Sequence, residues 1–101
     1  MWIFVFFDMP TKTKKDKKAY TDFRRFLLKE GFIMMQYSIY TRICKGEESI
    51  ETHKKRVKEH IPSKGNIRMV SITDLQYSKM EILVGTKKEG EKLEKKQLLL
   101  F

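Results

Sequence analysis

Trp2-Ile3-Phe4-Val5-Phe6-Phe7-Asp8 is the stretch whose reading decides the fold. It reads as a strand: alternation puts Trp2, Phe4 and Phe6 on one face and Ile3, Val5 and Phe7 on the other. Both faces are apolar, so both require cover. The run lacks a basic leader and is followed at once by Asp8 and Pro10, which argues against a signal peptide. It is also the longest uninterrupted apolar run, and it is far too short to span a membrane.

Working outward, Thr13 and Asp16 have the spacing of a capping box and open a helix that runs to about Glu30. Tyr20, Phe23, Phe26 and Leu27 form its apolar stripe, and Gly31 is a natural stop. Residues 32–43 are rich in strand formers but exceed one ordinary strand, so a break into two strands is expected near Ser38. Gly46 turns the chain into a second helix, about Glu48 to Ile61, with Ile50, Val57 and Ile61 as a thin apolar stripe ended by Pro62 and Gly65. Strands are expected at Asn66 to Thr73 and Met80 to Gly85. A charged linker from Thr86 then leads to Leu98-Leu99-Leu100-Phe101. This order predicts an α+β, ferredoxin-like β-α-β-β-α-β sandwich over residues 1–85, with two helices on one sheet face. Residues 86–101 are expected to add the linker and a C-terminal edge strand. With no third helix in the reading, a second copy of the chain is expected to cover the other face, giving a homodimer.

The 101 residues hold 22 Lys+Arg against 13 Asp+Glu, a formal charge of +9, which favours a polyanionic partner, nucleic acid ahead of a membrane surface. A single cysteine excludes an internal disulfide and a thiolate zinc cluster, and suits a reducing, cytoplasmic setting. The cations are clustered. Residues 12–30 carry eight positive and three negative side chains. Lys12, Lys14, Lys15, Lys17, Lys18, Arg24 and Arg25 are the candidate phosphate contacts.

Asp8 is the candidate for chemistry. Strand ends in α/β sheets gather ligands, and a magnesium ion often takes only one or two protein carboxylates. The competing reading is an Asp that hydrogen-bonds the turn to Thr11. A homodimer would bring two Asp8 residues across its axis. Ser38, Tyr40 and Arg42 could reach a phosphate or satisfy hydrogen bonds on the strand face. His53 and His60, seven residues apart, are read as solvated helix positions, Cys44 as a packing thiol and Asp74 as a turn-capping residue. Ser38-Ile39-Tyr40-Thr41-Arg42-Ile43 lacks the basic-Gly-aromatic signature of an RNA-recognition motif, which removes that reading.

Phe6-Phe7-Asp8-Met9-Pro10, the basic helix ending at Gly31, and Gln36-Tyr37-Ser38-Ile39-Tyr40 together resemble the CRISPR-associated protein 2 family, most closely members that accompany type II systems. The resemblance implies a cytoplasmic, ferredoxin-like homodimer that takes part in spacer acquisition for antiviral defence. It implies a partner integrase, for which the dimer bridges duplex DNA, and a metal-dependent endonuclease acting on RNA or DNA. The aspartate closing the first strand, here Asp8, would be the ligand for Mg²⁺ (or Mn²⁺). The chain departs from the family pattern at Phe7, where Tyr is common, and at Met34, where Arg is common. Lys15, Lys17 and Lys18 correspond loosely to the family's helix arginines. The alternative within the same resemblance is a non-catalytic scaffold that only bridges DNA.

Overall fold

A computed structural model describes residues 1–87. The elements are β1 (Trp2–Asp8), α1 (Lys14–Lys29), β2 (Ile33–Gln36), β3 (Ile39–Ile43), α2 (Gly46–Glu59), β4 (Asn66–Ile72) and α3 (Asp74–Ser78). The four strands form one antiparallel sheet in the order β2-β3-β1-β4. This is the α+β ferredoxin-like β-α-β-β-α-β arrangement. With β1 central, its two apolar faces are explained: Ile3, Val5 and Phe7 pack with Phe23 and Leu27 of α1 and Ile50 and Val57 of α2.

Local chemistry sets the boundaries. The Thr13 hydroxyl accepts from the Asp16 amide at 3.0 Å, and the Asp16 carboxylate accepts from the Thr13 amide at 3.3 Å, completing the capping box. At the other end of α1, Gly31 sits at φ 90°, its amide donates to the Leu28 carbonyl and that of Phe32 to the Leu27 carbonyl. This is a Schellman ending sealed by contact between two buried apolar side chains. The break in residues 32–43 falls at the expected place, where Ser38 takes φ 63° and its carbonyl accepts from the Phe7 amide at 3.0 Å. Helix α2 starts and ends two residues earlier than its charge pattern suggests, and Ile61 drops out of the stripe, 57% exposed.

Two expectations are corrected. No strand forms over 80–85; those residues run in bends, with Leu83 and Val84 exposed. Just before them a short third helix follows Thr73, whose side chain caps the Gln76 amide while Gln76 reaches back to the Thr73 amide. That helix covers part of the second sheet face from within the chain. Tyr77 stacks on Trp2 (centroids 3.9 Å, 12° between planes) and meets Phe4 edge-on at 5.7 Å, with Met35, Ile39 and Ile72 around them. Open apolar surface on this face remains at Phe6 and Val70. Asp74 does not cap the turn. It is buried at the first position of α3 and pairs with the amino terminus of Met1 at 2.9 Å. The expected edge strand at Leu98–Phe101 lies outside the described residues.

Candidate functional site

The end of β1 places Asp8 on the face away from α1 and α2. In antiparallel register Asp8 faces Asn66 and Phe6 faces both Arg68 of β4 and Ile39 of β3, so these side chains share one side of the sheet. With Phe7 and Ser38 they line an open groove of about 260 Å³. Gly65 fixes the approach of β4: it has φ 102°, and a Cβ there would lie 2.7 Å from the Asp8 carbonyl oxygen. Asp8 is exposed and its carboxylate makes no salt bridge or hydrogen bond among the described residues. Nor, among these residues, does any group of three His, Cys, Asp or Glu side chains converge as a ready metal cage. Among the described residues one chain therefore offers a metal a single carboxylate at this groove and leaves the other positions to water or to a second chain.

The predicted cations lie elsewhere. Lys14, Lys15, Lys17, Lys18, Arg24 and Arg25 are exposed on α1, which packs on the opposite sheet face, and Lys12 lies in the loop before it. None lines the Asp8 groove. Lys15 borders a smaller hollow of about 60 Å³ beside Met9, Asp16 and Lys64. Lys18 hydrogen-bonds Asp22 at 2.7 Å and holds that carboxyl below its ordinary range, while Arg25 stands 3.9 Å from the same residue. These two are partly neutralised; Lys12, Lys14, Lys17 and Arg24 have no carboxylate partner among the described residues.

Ser38, Tyr40 and Arg42 separate cleanly. Ser38 borders the groove at the β2–β3 turn. Tyr40 is fully buried against Phe7 in the helix-side core, and that burial raises its phenol above the ordinary range despite the nearby Arg24 guanidinium. Arg42 is occupied in the fold: its Nη1 donates to the Glu30 carbonyl at 2.7 Å, over Gly31, at the end of α1. Phe7 also belongs to the core, edge-on to Phe23 at 5.3 Å, and its ring lies on the opposite face from Asp8.

Of the remaining candidates, Cys44 is a buried packing thiol. His53 is not the solvated residue expected. It is 12% exposed and shares Glu30 with Arg56, at 3.2 and 2.8 Å, tying α2 to the end of α1. Burial works to raise the Glu30 pKa, but the hydrogen bonds from Arg56 and His53 outweigh it and hold the carboxyl below its ordinary value. His60 stacks on Phe26 with centroids 4.1 Å apart. Sequence reasoning missed Asn66 and Arg68, which enter the groove only through the β1–β4 register; the β1–β4 pairing of a ferredoxin-like sheet was the available signal.

The family profile described as CRISPR associated protein Cas2 matches residues 1–80. A protein of Parvibaculum lavamentivorans named CRISPR-associated endoribonuclease Cas2 is 44% identical over 101 residues, all of both chains. One of the same name from Flavobacterium psychrophilum is 44% identical over 101 residues, covering all of this chain and 88% of that one. The crystal structure of Streptococcus pyogenes Cas2 at pH 6.5 superposes with a TM-score of 0.60 at 19% identity, covering 83% of this chain and 100% of that one, and so shares the fold. The profile match over residues 1–80 and relatives matched from end to end agree with the order of elements, and the chain belongs to the CRISPR-associated Cas2 family.

Proposed function

We propose that the chain is a metal-dependent endonuclease, cutting RNA or DNA, and a DNA-binding subunit of CRISPR spacer acquisition. The observation that carries this reading is Asp8: an exposed carboxylate with no ion-pair partner among the described residues, at the end of the central strand, opening onto a groove. The relatives' name, endoribonuclease, puts RNA first among substrates. Asp8 fits a hard cation that keeps several waters, so it would hold Mg²⁺ or Mn²⁺. A bound cation supplies an acidified water and offsets charge on the scissile phosphate. Asp8 would hold that cation at the groove, Ser38 and Asn66 would present polar groups to the strand, and the α1 lysines would attract the rest of the polyanion from the other face.

The assembly proposed with it is a cytoplasmic homodimer, acting with an integrase partner of a type II system and bringing two Asp8 residues to one site. The open Phe6 and Val70 surface beside the groove supports a second copy there. Residues 1–85 would be the folded domain and 86–101 a linker and edge strand. The test compares wild type with Asp8→Ala for cleavage of labelled RNA and duplex DNA, in magnesium and in chelator. Cleavage that needs both magnesium and Asp8 supports the enzyme. The scaffold reading has its own observation, the single carboxylate that the described residues of one chain bring to the groove; intact DNA binding and spacer acquisition in Asp8→Ala cells would establish it.

A further inference from the structure

Among the described residues one cation lines the Asp8 groove, and it comes from β4 rather than from the lysine-rich helix. We propose that Arg68 is the groove's phosphate ligand, holding the nucleic-acid strand next to the diester presented to Asp8. The inference rests on Asp8 marking the nucleic-acid site.

Placement is set by register. Arg68 faces Phe6 and Asn66 faces Asp8, so Arg68 and Asp8 lie on the same side of the sheet as diagonal neighbours. Such neighbours are about 7–8 Å apart at Cα, within reach of each other for a long side chain. They nevertheless form no ion pair: no carboxylate among the described residues comes within 4.0 Å of Arg68, and no cation within 4.0 Å of Asp8. Elsewhere the chain does satisfy its charges at such junctions, as Arg56 and His53 do on Glu30. An unpaired carboxylate and an unpaired guanidinium on one groove suit a ligand carrying a cation for the first and an anion for the second. A phosphodiester with its metal has that composition. A guanidinium also engages two phosphate oxygens at once, which fixes a strand's register as well as its charge. Among the described residues, the rest of the lining, Phe6, Phe7, Ile39, Ser38 and Asn66, holds no competing cation.

The test uses the full chain with Arg68→Gln and Arg68→Lys, and a labelled single-stranded RNA. Binding is followed in chelator across a salt series, cleavage in magnesium, and size by sedimentation. Releasing one phosphate lowers the slope of log affinity against log salt by about 0.7 on a single strand. Arg68→Gln should show that drop with binding weakened about tenfold, the size expected for a charge-assisted hydrogen bond. Arg68→Lys should recover the slope and only part of the affinity. In cleavage, Arg68→Gln should raise KM more than it lowers kcat. An unchanged slope and KM overturn the proposal while leaving Asp8-dependent cleavage standing. A slope reduced by Arg68→Gln, alongside a wild type that never cleaves, keeps Arg68 as a phosphate ligand and removes the nuclease. A change in sedimentation on Arg68→Gln makes Arg68 a subunit contact and overturns the assignment.

Discussion

Arg42→Met tests whether the arginine over Gly31 belongs to the fold or to the nucleic acid. Its guanidinium donates to the Glu30 carbonyl at 2.7 Å, and methionine keeps much of the apolar stem while removing the donor. A charge-assisted hydrogen bond contributes roughly 1.5–3 kcal/mol. Two facts pull the expectation to the low end. The bond is only part-buried, so water can replace the donor, and Arg42 Nε is buried with no hydrogen-bond partner, a cost the substitution relieves. We therefore expect a loss of about 1.5–2 kcal/mol, a fall of roughly 6–15 °C in the melting midpoint for a domain of this size. Gly31→Ala should cost more. The φ of 90° alone carries about 1–2 kcal/mol of strain for an L residue, and the new Cβ would take the place of Arg42 Nη1 and displace the bond as well. In the Arg42→Met background only the strain remains, so the double variant should be less than additive by about 1.5 kcal/mol. Urea or thermal unfolding at one fixed protein concentration measures all four proteins. Salt-dependent RNA binding of Arg42→Met should keep the wild-type slope. An unchanged midpoint together with a shallower slope would refute the structural assignment and return Arg42 to the phosphate ligands.

Tyr77→Ala empties the cover over Trp2 and Phe4 and should cost about 3–5 kcal/mol by urea unfolding, the range for removing a buried aromatic ring; a loss under about 1 kcal/mol would mean α3 contributes little. The Glu30 carboxyl has a folded pKa below its ordinary 4.5, so its stabilisation is complete above that value and is lost as pH falls through the lower folded one. Wild type should therefore exceed Glu30→Gln in stability above that value, by a margin that shrinks below about pH 4.5, as denaturation midpoints against pH would show. Replacing Lys14 and Lys17 by Gln should lower the salt slope of duplex binding by about 0.9 for each phosphate that is no longer neutralised. Lys18→Gln should change the slope less, because Lys18 is already held by Asp22.

Local signals carried most of the fold. The capping box at Thr13, Gly31 and the break at Ser38 each act within a few residues, and each was readable where it stands. Helix α3 was not, although Thr73 and Gln76 have capping-box spacing, because five residues are too short to show a periodic stripe. Met80 to Gly85 has strand-like composition, but among the described residues it pairs with no sheet edge, and composition alone forms no ladder. At the site, Asp8 was legible because it ends the decisive strand. Arg68 was not, since its neighbourhood depends on pairing between the first strand and the last. Arg42 resembles a surface phosphate ligand until the end of α1 arrives beneath it. His53 reads as a solvated helix residue for the same reason: its partner, Glu30, belongs to another element.

The tie between Trp2 and Tyr77 gives the molecule a built-in optical reporter. Trp2 is the only tryptophan in the sequence, it is 1% exposed, and its indole lies flat against the phenol ring of α3. Its fluorescence therefore responds to whether α3 is seated on the sheet, while α1 and α2 dock on the reverse side through residues that include no indole. Emission that shifts ahead of the loss of helical circular dichroism would mean that α3 lifts off first, exposing the face beside Asp8 while the helix-side core is still intact.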